Sequence, residues 1–112
     1  MAREVFLLDL SDVTLAQEYE AWHKPGKVPP QVLADIRAAG VTIMDIYRSG
    51  DRLVMITETL DDKASGDRIA SHASRNWETL MDRYQRPLAW ADAGTKWQAA
   101  ERIFDIQQHN GF

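Results

Sequence analysis

The residues in this chain best suited to moving a proton lie in Glu18-Tyr19-Glu20-Ala21-Trp22-His23-Lys24-Pro25. On a helix, Tyr19 and His23 lie one above the other on one face, with Trp22 beside them. Lys24-Pro25-Gly26 stops such a helix, because the residue before a proline avoids the helical region and glycine suits the exit. The spacing therefore predicts an imidazole on the last helical turn, next to a phenol, under a bend in the chain. Imidazole is the side chain suited to taking and giving a proton, so His23 is a candidate general acid or base at a pocket mouth. It also suits a purely structural role, since a cation at a helix C-terminus is favoured by the dipole. Tyr19 either hydrogen-bonds a substrate hydroxyl or packs with its own hydroxyl at the edge of the core. Trp22 reads as packing.

Trp77-Glu78 is the second candidate. An aromatic ring next to a carboxylate suits a sugar, the ring packing on C–H groups and the carboxylate accepting from hydroxyls. The plain alternative is a buried Trp77 whose neighbour Glu78 faces water. His72 reads as surface, and His109 lies in a stretch expected to be loose. These histidines form no H-x-x-x-H pair, so a metal site is not expected. The sequence has no glycine-rich phosphate loop and no G-x-S-x-G element. Simple proton transfer or plain binding remains, with no cofactor.

Composition fits that reading. The 112 residues suit one domain with one core, residues 1–112. Hydrophobic residues make up 45% and charged residues 27%, the balance of a soluble protein. A net charge of −4 argues against a nucleic-acid partner. No apolar run approaches the ~20 residues of a membrane span. Met1-Ala2-Arg3-Glu4 and the short run after it, interrupted by Asp9, do not read as a signal peptide. With no cysteine, disulfides and thiolate metal sites are excluded, and a cytoplasmic protein is expected. Trp22, Trp77, Trp90 and Trp97 are many for this length, and some are expected to line a pocket or an interface.

The elements that must position these residues follow from periodicity. Val5–Leu10 reads as a first strand. Thr14 and Gln17 have the spacing of a capping box for a helix over Thr14–His23. Pro30 suits the first turn of a second helix, Gln31–Ala39, with Val32, Leu33 and Ile36 as its stripe and Gly40 as its stop. The period then changes to two, predicting a hairpin over Val41–Leu60 turning at Ser49-Gly50-Asp51. A third helical region opens at Asp61-Asp62, is weakened by Gly66, and runs to Gln85 with Ile69, Trp77, Leu80, Met81 and Tyr84 as apolar contacts. Leu88–Lys96 reads as a loop, and Arg102–Gln107 as a last strand. With the two short helices merged into one crossover, the order is βαββαβ, an α+β ferredoxin-like plan with one antiparallel sheet. Helices cover one sheet face. The other keeps apolar side chains and is expected to pair with a second copy, giving a homodimer, a dimeric α+β barrel.

Over nearly its whole length the chain resembles the L-rhamnose mutarotase family. The resemblance rests on Glu18-Tyr19 followed by His23 and Pro25, the Pro29 helix ending in Gly40, Ile46-Tyr47 in the hairpin, Trp77 and Met81, and Ile103-Phe104. The Tyr-x-x-x-His-x-Pro element is its most specific part. The resemblance implies a cofactor-free enzyme that interconverts the α and β anomers of a 6-deoxy sugar, with His23 as proton donor and Tyr19 and Trp77 touching the sugar. Met44 stands where rhamnose-acting members carry tyrosine, and Glu78 where they carry a second tryptophan. The loop after His23 is longer and lacks the tryptophan before the proline. A retained proton donor in an altered sugar pocket favours L-fucose over L-rhamnose, since hydroxyl orientation is read by polar groups. His23 is then the acid toward the ring oxygen, and the base is Tyr19, Glu78, Glu18 or a water. A cofactor-free monooxygenase or lactone isomerase, and a ligand-binding module without activity, are the rival readings on the same plan.

Overall fold

The first strand, β1 (Ala2–Leu10), runs through the middle of the sheet and is paired along both edges. In the computed structural model, residues 1–61 and 71–109 are described. After β1 come α1 (Ala16–Trp22), α2 (Pro30–Ala38), β2 (Val41–Ser49), β3 (Arg52–Thr59), α3 (His72–Met81), β4 (Gln85–Arg86) and β5 (Gln98–Ala100). The strand order is β2-β3-β1-β4, with β5 also on β1, and every pairing is antiparallel. Among the described residues this is an α+β fold with one antiparallel sheet and three α-helices.

Local chemistry sets the element ends. Asp12, not Thr14, caps the first helical turn: its carboxylate accepts from the Thr14 amide and hydroxyl, both at 2.9 Å. A 3₁₀ turn, Val13–Leu15, then leads into α1, whose own first residue has no side-chain cap. The capping box expected from Thr14 and Gln17 is thus replaced by an Asp-led turn, because Asp12 satisfies the orphan donors first. Helix α2 begins with Pro30 in its first turn, and Gly40 at φ +86° ends it. Ser71 caps α3 by accepting from the Ser74 amide at 3.1 Å.

Two predicted elements differ. Helix α3 stops at Met81 rather than Gln85, because the next residues are recruited by the sheet. The Ser11 amide bonds to the Tyr84 carbonyl at 2.7 Å, and Gln85 pairs with Leu10. The expected opening of that helix at Asp62, with Gly66 and Ile69, lies outside the described residues. Arg102–Gln107 is not a strand. The free edge of β1 is already taken by β4 at Asp9–Leu10 and by β5 at Val5–Leu7. The apolar residues beyond, Ile103, Phe104 and Ile106, are left exposed.

Register decides which side each strand residue serves, since directly opposed residues share a face. Leu8 opposes Leu53 and Phe6 opposes Met55, on the helix side. There Leu8, Leu10, Leu53, Tyr19, Met81 and Tyr84 form the core. Val5 opposes Ile56 and Leu7 opposes Val54 on the other side, extended by Tyr47. No described helix covers that side. Leu8 has no exposed surface and touches the core on all sides. Leu8→Ala is expected to lower unfolding free energy by about 2–5 kcal/mol in urea titration, by lost transfer energy plus the cavity left behind.

Candidate active site

The end of α1 places the imidazole. The His23 amide bonds to the Glu20 carbonyl at 3.0 Å, a tight closing turn in which it does not take the Tyr19 carbonyl, its partner in a continuing helix. His23 Nδ1 sits 2.8 Å from that carbonyl oxygen. A carbonyl only accepts, so Nδ1 carries the hydrogen and donates. In the neutral ring the lone pair is therefore on Nε2. The Tyr19 ring lies 4.5 Å from the imidazole and the Trp77 ring 5.5 Å from it, nearly perpendicular. The imidazole is thus held by one hydrogen bond and two aromatic neighbours.

Beside it opens a cavity of about 540 Å³, inside the roughly 300–1,000 Å³ usual for small-molecule sites. Met44 and Ile46 of β2 and Met55 of β3 line it from the sheet, Val32 and Ile36 from α2, Trp77 and Met81 from α3. Tyr19, His23, Glu78, Gln85, Asp35 and Ser74 supply its polar groups, and Trp97 also borders it. All five residues singled out from the sequence, His23, Tyr19, Trp77, Glu78 and Met44, line this one cavity. The others lie elsewhere. Glu18 accepts from the Tyr84 hydroxyl at 2.8 Å and Trp22 Nε1 donates to that hydroxyl at 3.0 Å, both outside the cavity lining. Trp90 is exposed under the Arg52 guanidinium, His72 is exposed, and His109 stacks on Phe104.

Electrostatics divide the polar groups. Burial pushes the Tyr19 phenol above its usual range; the Gln85 bond draws it down in part, and the Glu78 charge adds to the rise. Tyr19 is thereby kept as an O–H group. Gln85 Nε2 donates to its oxygen at 3.1 Å. The other end of that amide, Oε1, is buried with no hydrogen-bond partner among the described residues. An orphan acceptor of this kind costs about 1–3 kcal/mol unless a water or ligand meets it. Glu78 and Asp82 both grip Lys96 Nζ at 2.6 Å. Burial works to lower the Lys96 ammonium, and these carboxylates outweigh it and raise it. On α2, the Asp35 carboxyl is held down to about 2 by the Ser71 and Ser74 hydroxyls and the Gln31 amide, with a small opposing effect of burial.

Sequence reasoning missed Asp35 and Gln85. Asp35 carried a usable signal: it sits three after Val32 and next to Ile36, a carboxylate inside an apolar stripe. Gln85 carried none, because long-range strand pairing brings it in. Trp97 was one of four tryptophans of which some were expected at a pocket, and their number did not say which.

Together these features define a small α+β protein with a histidine between two aromatic rings at the edge of a sugar-sized cavity. The sequence pattern of the L-rhamnose mutarotase family matches residues 3–106, and the chain belongs to that family. It is a sugar mutarotase, an isomerase. It is 39% identical to the L-fucose mutarotase of Xanthomonas campestris pv. campestris, over 96% of this chain and 90% of that protein. The crystal structure of L-rhamnose mutarotase from Formosa agariphila superimposes with a TM-score of 0.70 at 17% identity, covering 94% of this chain and 98% of that one. At that identity the likeness shows the fold. No described helix is long and apolar enough to cross a membrane.

The Asp35 bonds tie α2 to the start of α3 across the cavity. The folded carboxyl titrates near 2, below the 3.8 of a free one. Its contribution to stability is therefore full above about pH 4 and lost as pH falls through 3.8 toward 2. The melting-temperature gap between wild type and Asp35→Asn is expected to be constant at higher pH and to close over that window.

Proposed function

We propose that this mutarotase interconverts the α and β anomers of a 6-deoxy-L-hexose, L-fucose in preference to L-rhamnose, and that His23 transfers the proton. The observation that carries the proposal is the Nδ1–H bond to the Tyr19 carbonyl, which leaves Nε2 as the exchanging nitrogen beside the cavity. The 39% identity to an L-fucose mutarotase supports the choice of sugar. So does the cavity lining, which includes Met44 and Glu78, the two residues at which the family resemblance implies a departure from rhamnose-acting members.

Ring opening removes the anomeric hydroxyl proton, breaks the bond between C1 and the ring oxygen, and adds a proton to that oxygen. The open aldehyde rotates about C1–C2, and closure on the other face reverses both transfers. His23, protonated on Nε2, gives the ring oxygen its proton and takes it back on closure. Tyr19 keeps its hydroxyl proton and serves as a hydrogen-bond donor, not as the base. Glu18 is outside the cavity and engaged with Tyr84. Glu78, which lines the cavity, or a water then receives the anomeric proton. Trp77 offers its ring to the C–H face of the sugar. No step calls for a cofactor.

Loss of a positioned acid–base group is expected to slow exchange roughly 10²–10⁴-fold. His23→Ala and His23→Asn should each show this in saturation-transfer NMR with L-fucose, L-rhamnose and other aldoses side by side. Wild-type exchange in either variant removes the His23 assignment, and faster exchange of L-rhamnose than L-fucose reverses the choice of sugar.

The uncovered sheet face supports a homodimer. Val5, Leu7, Val54 and Ile56 form an apolar centre between the β1 and β3 pairs, and Ile43 and Tyr47 extend it with 43% and 58% of their surface exposed. A second copy with the same face is the natural cover. Light scattering should give about twice 12.8 kDa for wild type. Val54→Asp, which puts a charge in the centre of the patch, should shift the mass to the monomer; a monomeric wild type would refute the dimer.

A further inference from the structure

We infer that Gln85 is a substrate-binding residue that, with the Tyr19 hydroxyl, grips one ring hydroxyl of the sugar. The inference deepens the mutarotase reading of this cavity and rests on it. Gln85 reaches the site because β4 pairs it opposite Leu10, on the helix side of the sheet. Its Nε2 donates to the Tyr19 oxygen at 3.1 Å. That bond has two consequences. The phenol oxygen already accepts, so its own hydrogen is available, and among the described residues it has no acceptor. The amide oxygen, buried at the cavity, is likewise without a donor.

The cavity therefore presents one donor and one acceptor side by side. Turning the amide over exchanges the two roles: Tyr19 donates to Gln85, the phenol oxygen becomes the acceptor and the amide hydrogens the donors. Either way the demand on the ligand is the same. An anion can only accept and an ammonium can only donate, so each answers half of it. A hydroxyl donates and accepts at once and answers both. A water meets both until a sugar hydroxyl that reproduces its bonds takes its place. The Tyr19 ring is 4.5 Å from the imidazole, so the hydroxyl held here lies near the reacting end of the sugar. Trp77, His23 and the apolar sheet residues recognise any pyranose of the right size. The Gln85–Tyr19 pair asks for a hydroxyl at one position, which is how such a site rejects a substrate that lacks it.

The test measures kcat and KM for anomer exchange of L-fucose and of its analogues each lacking one ring hydroxyl, using wild type, Gln85→Met and Gln85→Glu. Wild type is expected to lose roughly 10–100-fold in kcat/KM on one analogue. Gln85→Met should lose a similar factor on L-fucose and no longer separate L-fucose from that analogue. Gln85→Glu keeps an acceptor but draws the Tyr19 hydroxyl hydrogen onto its own carboxylate, so it should keep only part of the preference. Wild type treating all analogues alike overturns the proposal, as does Gln85→Met weakening every substrate by one common factor, which is the mark of a structural role. If Gln85→Met fails to fold by circular dichroism, the wild-type analogue series and Gln85→Glu decide. A wild type that exchanges no 6-deoxyhexose overturns the mutarotase reading of the sugar and this inference with it. An active wild type indifferent to the missing hydroxyl overturns the inference alone.

Discussion

The site depends on one hydrogen bond, from Nδ1–H of His23 to the carbonyl oxygen of Tyr19. That carbonyl is available only because the helix ends there. In a continuing helix the amide of residue 23 would occupy it; instead that amide turns to Glu20. The same event that leaves an unsatisfied carbonyl thus supplies the group that orients the ring. The bond puts the hydrogen of the neutral ring on Nδ1 and the lone pair on Nε2. The Tyr19 and Trp77 rings limit how the imidazole can swing. The imidazole is held by a backbone carbonyl rather than by a partner carboxylate.

The sheet serves two surfaces. Its helix face provides the core at one end, around Leu8 and Leu53, and the cavity at the other, around Met44, Ile46 and Met55. Because opposed residues share a face, the register that buries Leu8 against Leu53 also sends Val5, Leu7, Val54 and Ile56 outward. One pairing pattern therefore sets both the floor of the sugar site and the apolar surface a second copy would cover. Helices α2 and α3 close the cavity, and Asp35 fastens them through Ser71 and Ser74. A carboxylate carrying three donors is well satisfied, whereas the Gln85 amide in the same cavity is not. The contrast separates a group that holds the walls from one that still has an acceptor to spare.

Much of this was legible before any coordinates. The helix over residues 16–22 and its end, the glycine stops, the hairpin turning at Gly50 and the Tyr19–His23 pair all follow from spacing within a few residues. Trp77 entered as an aromatic beside a carboxylate and Met44 through a resemblance, and both stand in the same cavity. The misreadings share one cause. Arg102–Gln107 has the alternation of a strand, but a strand needs an edge, and β4 and β5 had filled the one on β1. Gln85 has helical neighbours, but pairing with Leu10 draws it into the sheet. The first-turn cap moved from Thr14 to Asp12 for a local reason: the Asp12 carboxylate takes both the Thr14 amide and the Thr14 hydroxyl.

The amino-acid order by itself determined the local chemistry of this protein: where a helix must stop, which ring sits above which, and which faces are apolar. It did so because those outcomes depend on backbone sterics and on contacts a turn or two apart. Only the tertiary structure decided that Gln85, Asp35 and Trp97 border the cavity and that Glu18 does not, and which strands share the edge of β1. Those outcomes are settled by competition between distant segments for the same hydrogen-bonding edge and the same buried volume, and no local pattern records who wins.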